Sequence, residues 1–440
     1  MSIETLFAEH IATLNKRYAE AIESLKKDGV AIDAILIHSG SETAYYADDH
    51  IVSFKAFGHF NQWAPVNRPD QLVLIEPGKR TIYYQVVPKD YWYDQSVHTE
   101  EWWARQFEVV ELASADELFD QLPPRRRIAF VGQNTEYAGR MGLPSMLHNH
   151  RGLLSRLDWQ RGIKTEYEVA RMREANVLAR RGYAAAQAAF ERGGDEWTIH
   201  TAFLLACGIT DEETAFPSIV AIDEKSAILH YQHKRRGMGS AGRVALIDAG
   251  CRVEAYCSDT TRTYTSDRAH PVFRSLVAGM DRLQLELVGY LRPNQPYLEL
   301  HEEAHRRVTA LLREVGICSA SEDEMRAQKV SHIFFPHGIG HLLGIQVHDV
   351  GGRMKDPSGE PAPPPPEHPF LRLTRQVEPG MVFTIEPGIY FIPTLLDPER
   401  DGNRGRLLNW KLIDELIPFG GIRFEDDVVV TASGCENLTR

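Results

Sequence analysis

Several features are absent or scarce in this chain of 440 residues, and each absence narrows what the protein can be. No stretch approaches the roughly 20 apolar residues that cross a bilayer, and the start at Met1 lacks the basic and then apolar pattern of a secretory signal. The cysteines number only five and are scattered, which argues against a disulfide framework and for a reducing compartment. We therefore expect a cytoplasmic protein that does not associate with membranes.

Positive charge is scarce as well. The chain has 49 lysines and arginines against 61 aspartates and glutamates, so its formal net charge is -12. Nucleic-acid binding needs a concentrated cationic surface, and nucleic acid is therefore not expected as a partner. Hydrophobic residues make up 43% of the chain and charged residues 25%, which is typical of a soluble globular protein, and the length suggests two or three domains.

The N-terminal part of the chain alternates helical and strand patterns. An amphipathic helix runs to Lys27. Strand patterns follow at residues 34–37, 72–75, 81–84 and 128–131. Thr165 and Glu168 have the spacing of a capping box, which opens a new helical run. The sequence therefore predicts an α/β protein with an N-terminal domain at residues 1–160 and a second domain at residues 164–440.

Two aspartates interrupt apolar strand patterns in the second domain. Asp248 lies in the buried-strand pattern at residues 244–250, and Asp259 follows eleven residues later, after a second extended run. A hairpin that turns between Val253 and Glu254 would place the two side chains directly opposite each other, with Cβ atoms about 5 Å apart. Carboxylates this close repel unless they are protonated or bridged by cations. A metal site would account for the pair, and so would a turn or a surface salt bridge.

A histidine-rich segment follows at residues 334–349. It holds His337, His341 and His348 among apolar residues and glycines. A packed core would avoid polar rings that need partners, so three histidines beside glycines favour a role as metal ligands or in proton transfer. Spacing alone does not choose among the three.

Two glutamates interrupt apolar strand patterns in the same way. Glu386 lies within residues 381–388, and Glu425 lies within residues 422–430. Each would be costly to bury without a partner. With the two aspartates and one imidazole they offer mainly hard oxygen donors, which suit a pair of divalent ions about 3.5–4 Å apart, manganese first, with cobalt or zinc as alternatives. The second domain is therefore predicted to activate water for hydrolysis.

At these residues the chain resembles the creatinase-like, "pita-bread" metallopeptidases, and over almost its full length it resembles the bacterial prolidases, or Xaa-Pro dipeptidases. The motifs are Asp-Ala-Gly, Asp-x-Thr-Arg-Thr, His-Gly-x-Gly-His, Thr-Ile-Glu-Pro-Gly and Gly-Ile-Arg-Phe-Glu-Asp. The resemblance implies that the metal ligands are Asp248, Asp259, His341, Glu386 and Glu425. It also implies an N-terminal creatinase-like α/β domain followed by a pita-bread catalytic domain with a dinuclear metal site.

The resemblance further implies the substrate and the roles of other residues. Prolidases hydrolyse dipeptides with a C-terminal proline, and Arg372 matches the arginine that binds the free carboxylate of that proline. A metal-bridged hydroxide is the implied nucleophile, and Glu386 is expected to accept the proton of the water and pass it toward the leaving nitrogen. His230 and His348 are expected to bind substrate and to stabilise the tetrahedral intermediate.

A homodimer is also implied by the resemblance. In such a dimer the N-terminal domain of one subunit helps to close the site of the other. Asp49 and Trp92 are the candidates for that wall of the substrate site.

Other activities and one departure from the family pattern stay open. Aminopeptidase P shares the metal site but acts on longer Xaa-Pro peptides; Arg372 and the prolidase-like residues 409–421 weigh against it. Some bacterial prolidases closely resemble organophosphorus acid anhydrolases, so phosphotriester hydrolysis is a candidate side activity. Phe216 stands where close relatives carry a tyrosine, so the hydrogen bond of that phenol is lost. A catalytically silent binding protein is disfavoured because all five ligands are present.

Overall fold

The structure, a computed structural model, describes residues 1–89, 91–92, 101–122 and 127–440. The chain divides into two units. The first consists of Met1–Ala170 with Met354–Glu360, and the second of Arg171–Arg353 with Pro361–Arg440. None of the helices that the structure describes is long and apolar enough to cross a membrane.

The helices of the first unit are α1 (Ile3–Lys27), α2 (Gly58–Trp63), α3 (Thr135–Arg140) and α4 (Arg151–Arg161). Helix α1 begins where the Ser2 hydroxyl accepts the N–H of Thr5, and its last turn is closed by the N–H of Asp28. The buried face of α1 packs against α4. The amphipathic pattern predicted this helix and its C-terminal end, and both predictions are confirmed.

A mixed sheet forms the centre of the first unit. Its strands are β1 (Ala34–His38), β2 (Leu72–Ile75), β3 (Ile82–Val86), β4 (Glu108–Leu112) and β5 (Ile128–Val131). The order is β4-β3-β2-β1-β5, in which β1 pairs antiparallel with β2 and parallel with β5, and β3 pairs parallel with β4. Strands β1, β2 and β5 are buried along their whole length, as their continuous apolar runs require.

Helix α5 (Glu166–Glu191) begins in the first unit and continues in the second. At its start the backbone N–H of Thr165 donates to Glu168 Oε2 at 2.8 Å, and the N–H of Glu168 lies 3.4 Å from Thr165 Oγ1, so the predicted capping box is present. The other helices of the second unit are α6 (Glu196–Cys207), α7 (Pro271–Tyr290), α8 (Tyr297–Glu314), α9 (Glu322–Ala327), α10 (Ser331–Phe334), α11 (Pro393–Leu396) and α12 (Trp410–Leu416).

The strands of the second unit form several small antiparallel sheets. They are β6 (Ile219–Ile222), β7 (Val244–Ala249), β8 (Arg252–Val253), β9 (Tyr256–Cys257), β10 (Thr260–Thr265), β11 (Val382–Ile385), β12 (Gly388–Tyr390), β13 (Gly421–Arg423), β14 (Asp426–Val430) and β15 (Cys435–Asn437). The sheets have the orders β10-β7-β6, β11-β14-β15, β12-β13 and β8-β9. A bridge between Thr261 and Glu425 connects the first of these sheets to the chain just before β14.

Helices α5 and α6 pack against β6 and β7 to form one core of the second unit. Tyr183 and Phe203 meet edge to face there, with ring centroids 5.6 Å apart. Gly182 allows this close approach, because a Cβ at that position would lie only 2.5 Å from Cys207 Sγ and from Phe203. Strand β7 contributes buried residues to this core, and it carries the first candidate ligand.

Candidate metal centre

The first two candidate ligands lie on a hairpin. Strand β7 pairs with β10 so that Asp248 faces Thr261, and Asp259 is therefore diagonal to Asp248. The prediction that the two aspartates lie directly opposite each other is wrong by a two-residue shift of register. The turn falls at residues 254–255, which both have positive φ, the geometry of a type I′ turn. The sequence there is Glu-Ala rather than the Asn-Gly that signals such a turn, which is why the pattern misplaced it.

Asp259 meets two ligands from distant parts of the chain. One ligand atom each from Asp259, His341 and Glu425 lies within 4.8 Å of the others, and all three residues are buried. His341 Nε2 is 3.4 Å from Asp259 Oδ2. Glu425 comes from the segment that bridges to Thr261, whose hydroxyl donates to Glu425 Oε2 at 2.6 Å. Three separate segments thus converge on one buried point.

The other two candidate ligands border the same point. Glu386 directly follows β11, and its Oε1 is 3.9 Å from His341 Nε2. Asp248 accepts a hydrogen bond from Arg423 through Oδ2, at 2.6 Å. Its Oδ1 is buried and has no hydrogen-bond partner among the residues that the structure describes. A buried carboxylate oxygen without a donor is the oxygen that a divalent cation would bind.

The carboxylate centre is the set Asp248, Asp259, His341, Glu386 and Glu425. Its concentrated negative charge would be stabilised by cations. Burial raises the pKa of Asp259 well above its usual range, and the charges of Asp248 and Glu386 raise it further. Burial and neighbouring carboxylates likewise raise the pKa values of Glu386 and Glu425. Burial lowers the pKa of His341 to about 4, which leaves a neutral ring with a free lone pair. The donor set therefore fits divalent cations, which relieve carboxylate repulsion and need an unprotonated imidazole.

Sequence reasoning missed the residue that orients Asp248. Arg423 is buried; besides Asp248 it donates to Thr261 Oγ1 at 3.1 Å and to the Tyr390 hydroxyl at 2.9 Å. The Tyr390 hydroxyl in turn lies 2.9 Å from His337 Nε2. A cation between the apolar residues Ile422 and Phe424 was the available signal, because a buried arginine needs carboxylate or hydroxyl partners.

Asp427 is a second residue that the sequence did not single out. It is buried, and its Oδ2 accepts the backbone N–H of Asp259 at 3.0 Å and the side-chain amide of Asn176 at 2.8 Å. The contact fixes the backbone at Asp259. Asp427 lies only two residues after Glu425, in β14, and its contact with the distant Asp259 is visible only in the folded chain.

The remaining candidates fall into two groups. His348 lies beside the carboxylate centre, with its ring centroid 4.4 Å from that of His341, and burial lowers its pKa to about 3. Arg372 is exposed, yet its charge lowers the pKa values of His341 and His348, so it too lies near the centre. His230, also exposed, acts on the pKa of His348 in the same direction.

Two predicted substrate-site residues, Asp49 and Trp92, belong to the first unit. Asp49 and Trp92 are both exposed there, and Trp92 packs against Tyr91 with ring centroids 4.9 Å apart. The carboxylate centre, in contrast, lies wholly within the second unit. The predicted wall of the site therefore stays a prediction.

The fold and this centre define a class of enzyme, and comparison with known proteins identifies it. The second part of the chain matches the model of Metallopeptidase family M24 over residues 170–432, and the first part matches that of the Xaa-Pro dipeptidase, N-terminal domain, over residues 5–159. The protein therefore belongs to metallopeptidase family M24.

Full-length relatives narrow the class to bacterial prolidases. The chain is 41% identical to a Xaa-Pro dipeptidase of Pseudoalteromonas atlantica, over 99% of this chain and 98% of that protein. It is 38% identical to a Xaa-Pro dipeptidase of Escherichia fergusonii, over 100% of this chain and 98% of that protein. The resemblance stated from the motifs is confirmed.

Solved structures share the fold. Proline aminopeptidase P II from Yersinia pestis aligns with a TM-score of 0.71 at 24% identity, over 97% of this chain and 96% of that chain. Aminopeptidase P from E. coli with the inhibitor Pro-Leu aligns with a TM-score of 0.73 at 22% identity, over 97% and 94%. The predicted fold class, an N-terminal α/β domain followed by a pita-bread metallopeptidase domain, is confirmed.

Proposed function

We propose that the protein is a metal-dependent Xaa-Pro dipeptidase, which hydrolyses dipeptides with a C-terminal proline. The observation that carries the proposal is the buried carboxylate centre, in which Asp259, His341 and Glu425 meet with ligand atoms within 4.8 Å of one another. It occurs in a chain that is 41% identical to a Xaa-Pro dipeptidase over 99% of its length. Hydrolysis by activated water is the chemistry that such a donor set supports.

Two divalent ions would be held by Asp248, Asp259, His341, Glu386 and Glu425. When bound, they would lower the pKa of water and polarise the carbonyl of the residue before proline. Manganese is the ion we propose, with cobalt or zinc as alternatives, because four of the five donors are carboxylates. Asp248 Oδ1, buried without a partner among the described residues, supports the proposal.

The side chains of the site have distinct roles in the proposed reaction. Glu386 accepts the proton of the attacking water and delivers it to the leaving nitrogen, because a carboxylate beside the ions is within reach of the water that they would activate. His348 and His230 bind the substrate, and His348 donates to the oxygen on which negative charge develops. Arg423 holds Asp248 in place through the 2.6 Å contact.

Arg372 is proposed to set the length of the substrate. A guanidinium binds a carboxylate with two parallel hydrogen bonds, and only in a dipeptide does the residue after the scissile bond end in a carboxylate. Arg372 is exposed, so its donors are free to reach a ligand, and its charge acts on His341 and His348. Proline itself is favoured because its peptide nitrogen carries no hydrogen.

The setting of the enzyme is also a proposal. We propose a cytoplasmic homodimer in which residues 1–160 supply dimer contacts and, through Asp49 and Trp92, a wall of the partner subunit's site, while residues 164–440 form the catalytic domain. All five cysteines are free thiols, which supports a reducing compartment. The exposed rings of Tyr46, Tyr91 and Trp92 in the first unit support a contact with a second subunit.

Hydrolysis of Ala-Pro against Ala-Pro-Ala tests the function. The protein is stripped with chelator, reloaded with Mn²⁺ and assayed for release of proline and of alanine. Cleavage of the dipeptide alone, lost with chelator and regained with Mn²⁺, is the expected result. Preferential cleavage of the tripeptide would move the assignment to aminopeptidase P, and no cleavage of either peptide would end the peptidase proposal.

A further inference from the structure

A second group of histidines lies in the second unit, outside the carboxylate centre. His301 and His305 are four residues apart on α8, so their rings project from one face of the helix. His368, from the loop after the consecutive prolines, contacts both rings, with centroid distances of 4.4 Å to His301 and 5.3 Å to His305. His301, His305 and His368 form the histidine cluster.

The ring nitrogens of the histidine cluster are spaced for one metal ion. One nitrogen from each ring lies within 4.8 Å of the others, and His301 Nε2 is 3.0 Å from His368 Nδ1. Two imidazoles on a tetrahedral ion with metal–nitrogen bonds of about 2.0–2.1 Å have ligand nitrogens about 3.3 Å apart. Small rotations of the rings would therefore bring them to one ion.

Contacts around the rings favour ligation over a purely structural role. The Ser331 hydroxyl is 3.0 Å from His305 Nδ1, which orients the ring and leaves Nε2 as the nitrogen that can turn to an ion. His301 is buried, and its Nδ1 has no hydrogen-bond partner among the residues that the structure describes. Nε2 is therefore the nitrogen through which the His301 ring is held, and it faces His368 Nδ1 at 3.0 Å.

The rings are also in the protonation state that a metal needs. Burial and the neighbouring His368 lower the pKa of His301 to about 2, and burial lowers the pKa of His305 as well. Both rings are neutral at neutral pH, and a metal binds the unprotonated nitrogen. The rings line a cavity of about 190 Å³, which has room for an ion and a water.

We propose that His301, His305 and His368 form a separate mononuclear site for a transition-metal ion of the Zn²⁺ type. Three neutral imidazoles leave a fourth position for water, and imidazole is a ligand that suits zinc, copper and nickel better than manganese. The ion would join helix α8 to the loop that continues to residue 371. The site is distinct from the carboxylate centre, since the two share no ligand.

Counting zinc ions tests the proposal. The protein is stripped with chelator, dialysed against buffered Zn²⁺, and its bound zinc is measured by mass spectrometry. The wild type is expected to bind three ions per chain, two at the carboxylate centre and one at the histidine cluster. His301→Gln is expected to bind one ion fewer. His368→Gln, on a loop, is expected to do the same, and it serves where the buried variant fails to fold.

His332→Gln is the matched control. His332 stacks on His305 with centroids 4.2 Å apart and lines the same cavity, but it is not one of the three ligands. It is expected to keep the full number of ions. If His301→Gln and His368→Gln bind as many ions as the wild type, or if His332→Gln loses the ion equally, the three-histidine site is wrong. Ion counting needs no peptide, so its failure leaves the proposed function untouched, and failure of the peptide assay leaves the site untouched.

Discussion

The carboxylate centre and the histidine cluster are two buried groups of potential metal ligands in the same unit, and they differ in charge. In the first, four carboxylates surround His341, and burial together with neighbouring carboxylates raises the pKa values of Asp259, Glu386 and Glu425. In the second, three imidazoles are neutral because burial lowers the pKa values of His301 and His305. Without cations the carboxylates of the first group repel one another at neutral pH, whereas the neutral rings of the second group carry no charge to repel.

The two groups also differ in how the fold positions them. Asp248, Asp259 and Glu425 lie on or beside paired strands, and Arg423 fixes the first of them. The histidine cluster relies on one helix and on His368 from a loop. A site on paired strands holds its ligands more rigidly than one that depends on a loop. The comparison therefore supports the proposed catalytic role for the carboxylates and favours a stabilising role for an ion at the histidines.

Asp259→Asn should break the carboxylate centre and leave the histidine cluster intact. An amide cannot replace the negative charge of Asp259, which contacts His341. Loss of a residue that merely supports a metal ligand lowers activity about 10- to 100-fold, so loss of a ligand itself is expected to lower hydrolysis of Ala-Pro at least about 100-fold. The zinc count should drop, yet one ion should remain at the histidine cluster. Loss of every ion, in a variant whose circular dichroism is unchanged, would mean that the two groups are not independent.

Arg372→Ala should affect the carboxylate centre but not the histidine cluster, although Arg372 lies only four residues after His368. The charge of Arg372 acts on the carboxylate centre, whereas His368 belongs to the histidine cluster. Loss of a charge-assisted hydrogen bond to the substrate carboxylate should raise KM for Ala-Pro about 10- to 100-fold with little change in kcat. Zinc binding should be unchanged.

Arg375→Gln is the control for this variant. Arg375 is buried and donates to Glu378 at 2.9 Å, so its loss should lower stability without raising KM. An equal rise in KM for both arginine variants would exclude Arg372 as the specific ligand of the carboxylate.

The opposite pKa shifts predict opposite pH dependences of stability in chelator-treated protein. The pKa of Asp259 is raised, so its contribution is fully present below about pH 4 and is lost as the pH rises through the raised value. The pKa of His301 is lowered to about 2, so its contribution is present above about pH 6.5 and is lost as the pH falls from there. Relative to the wild type, Asp259→Asn should gain stability at pH 7 and His301→Gln at pH 5.

Urea unfolding in chelator measures these differences. For His301→Gln the gain between pH 6.5 and 5 is expected to be about 2 kcal/mol, since each pH unit below the unfolded pKa is worth about 1.4 kcal/mol. His332→Gln should give a smaller change, because burial lowers the pKa of His332 only to about 4 and part of that ring is exposed. If the free energies of unfolding of Asp259→Asn and His301→Gln changed with pH in the same direction relative to the wild type, the two groups would not differ in charge as described.

The sequence predicted the carboxylate centre far better than its surroundings. Carboxylates inside apolar runs, such as Asp248 and Glu425, are detectable because burial without a partner is costly. The register of the hairpin could not be predicted, because the turn at residues 254–255 lacks the Asn-Gly type of dipeptide that marks such turns. The histidine cluster was missed because His368 is far from α8 in sequence. Two histidines four residues apart on a helix do not by themselves indicate a metal site, and the third ring is brought to them only by the fold.

Tyr390→Phe has the smallest expected effect and tests whether the two groups communicate. Arg423 donates to the Tyr390 hydroxyl, and the hydroxyl donates to His337 Nε2, because His337 uses Nδ1 toward the carbonyl of Gly338. Burial raises the pKa of Tyr390 to about 12, so the hydroxyl keeps its proton. A chain of hydrogen bonds therefore runs from Asp248 to His337, which lines the cavity of the histidine cluster.

Removing the hydroxyl deletes two of these bonds but spares the contact between Arg423 and Asp248. At about 1 kcal/mol for each bond, kcat/KM for Ala-Pro should fall no more than about 30-fold. The zinc count should stay at the wild-type value, because His337 is not among the three ligands. If the phenylalanine variant lost the extra zinc ion as well as activity, the hydrogen-bond chain would couple the two groups into one network, and their separate assignment would fail.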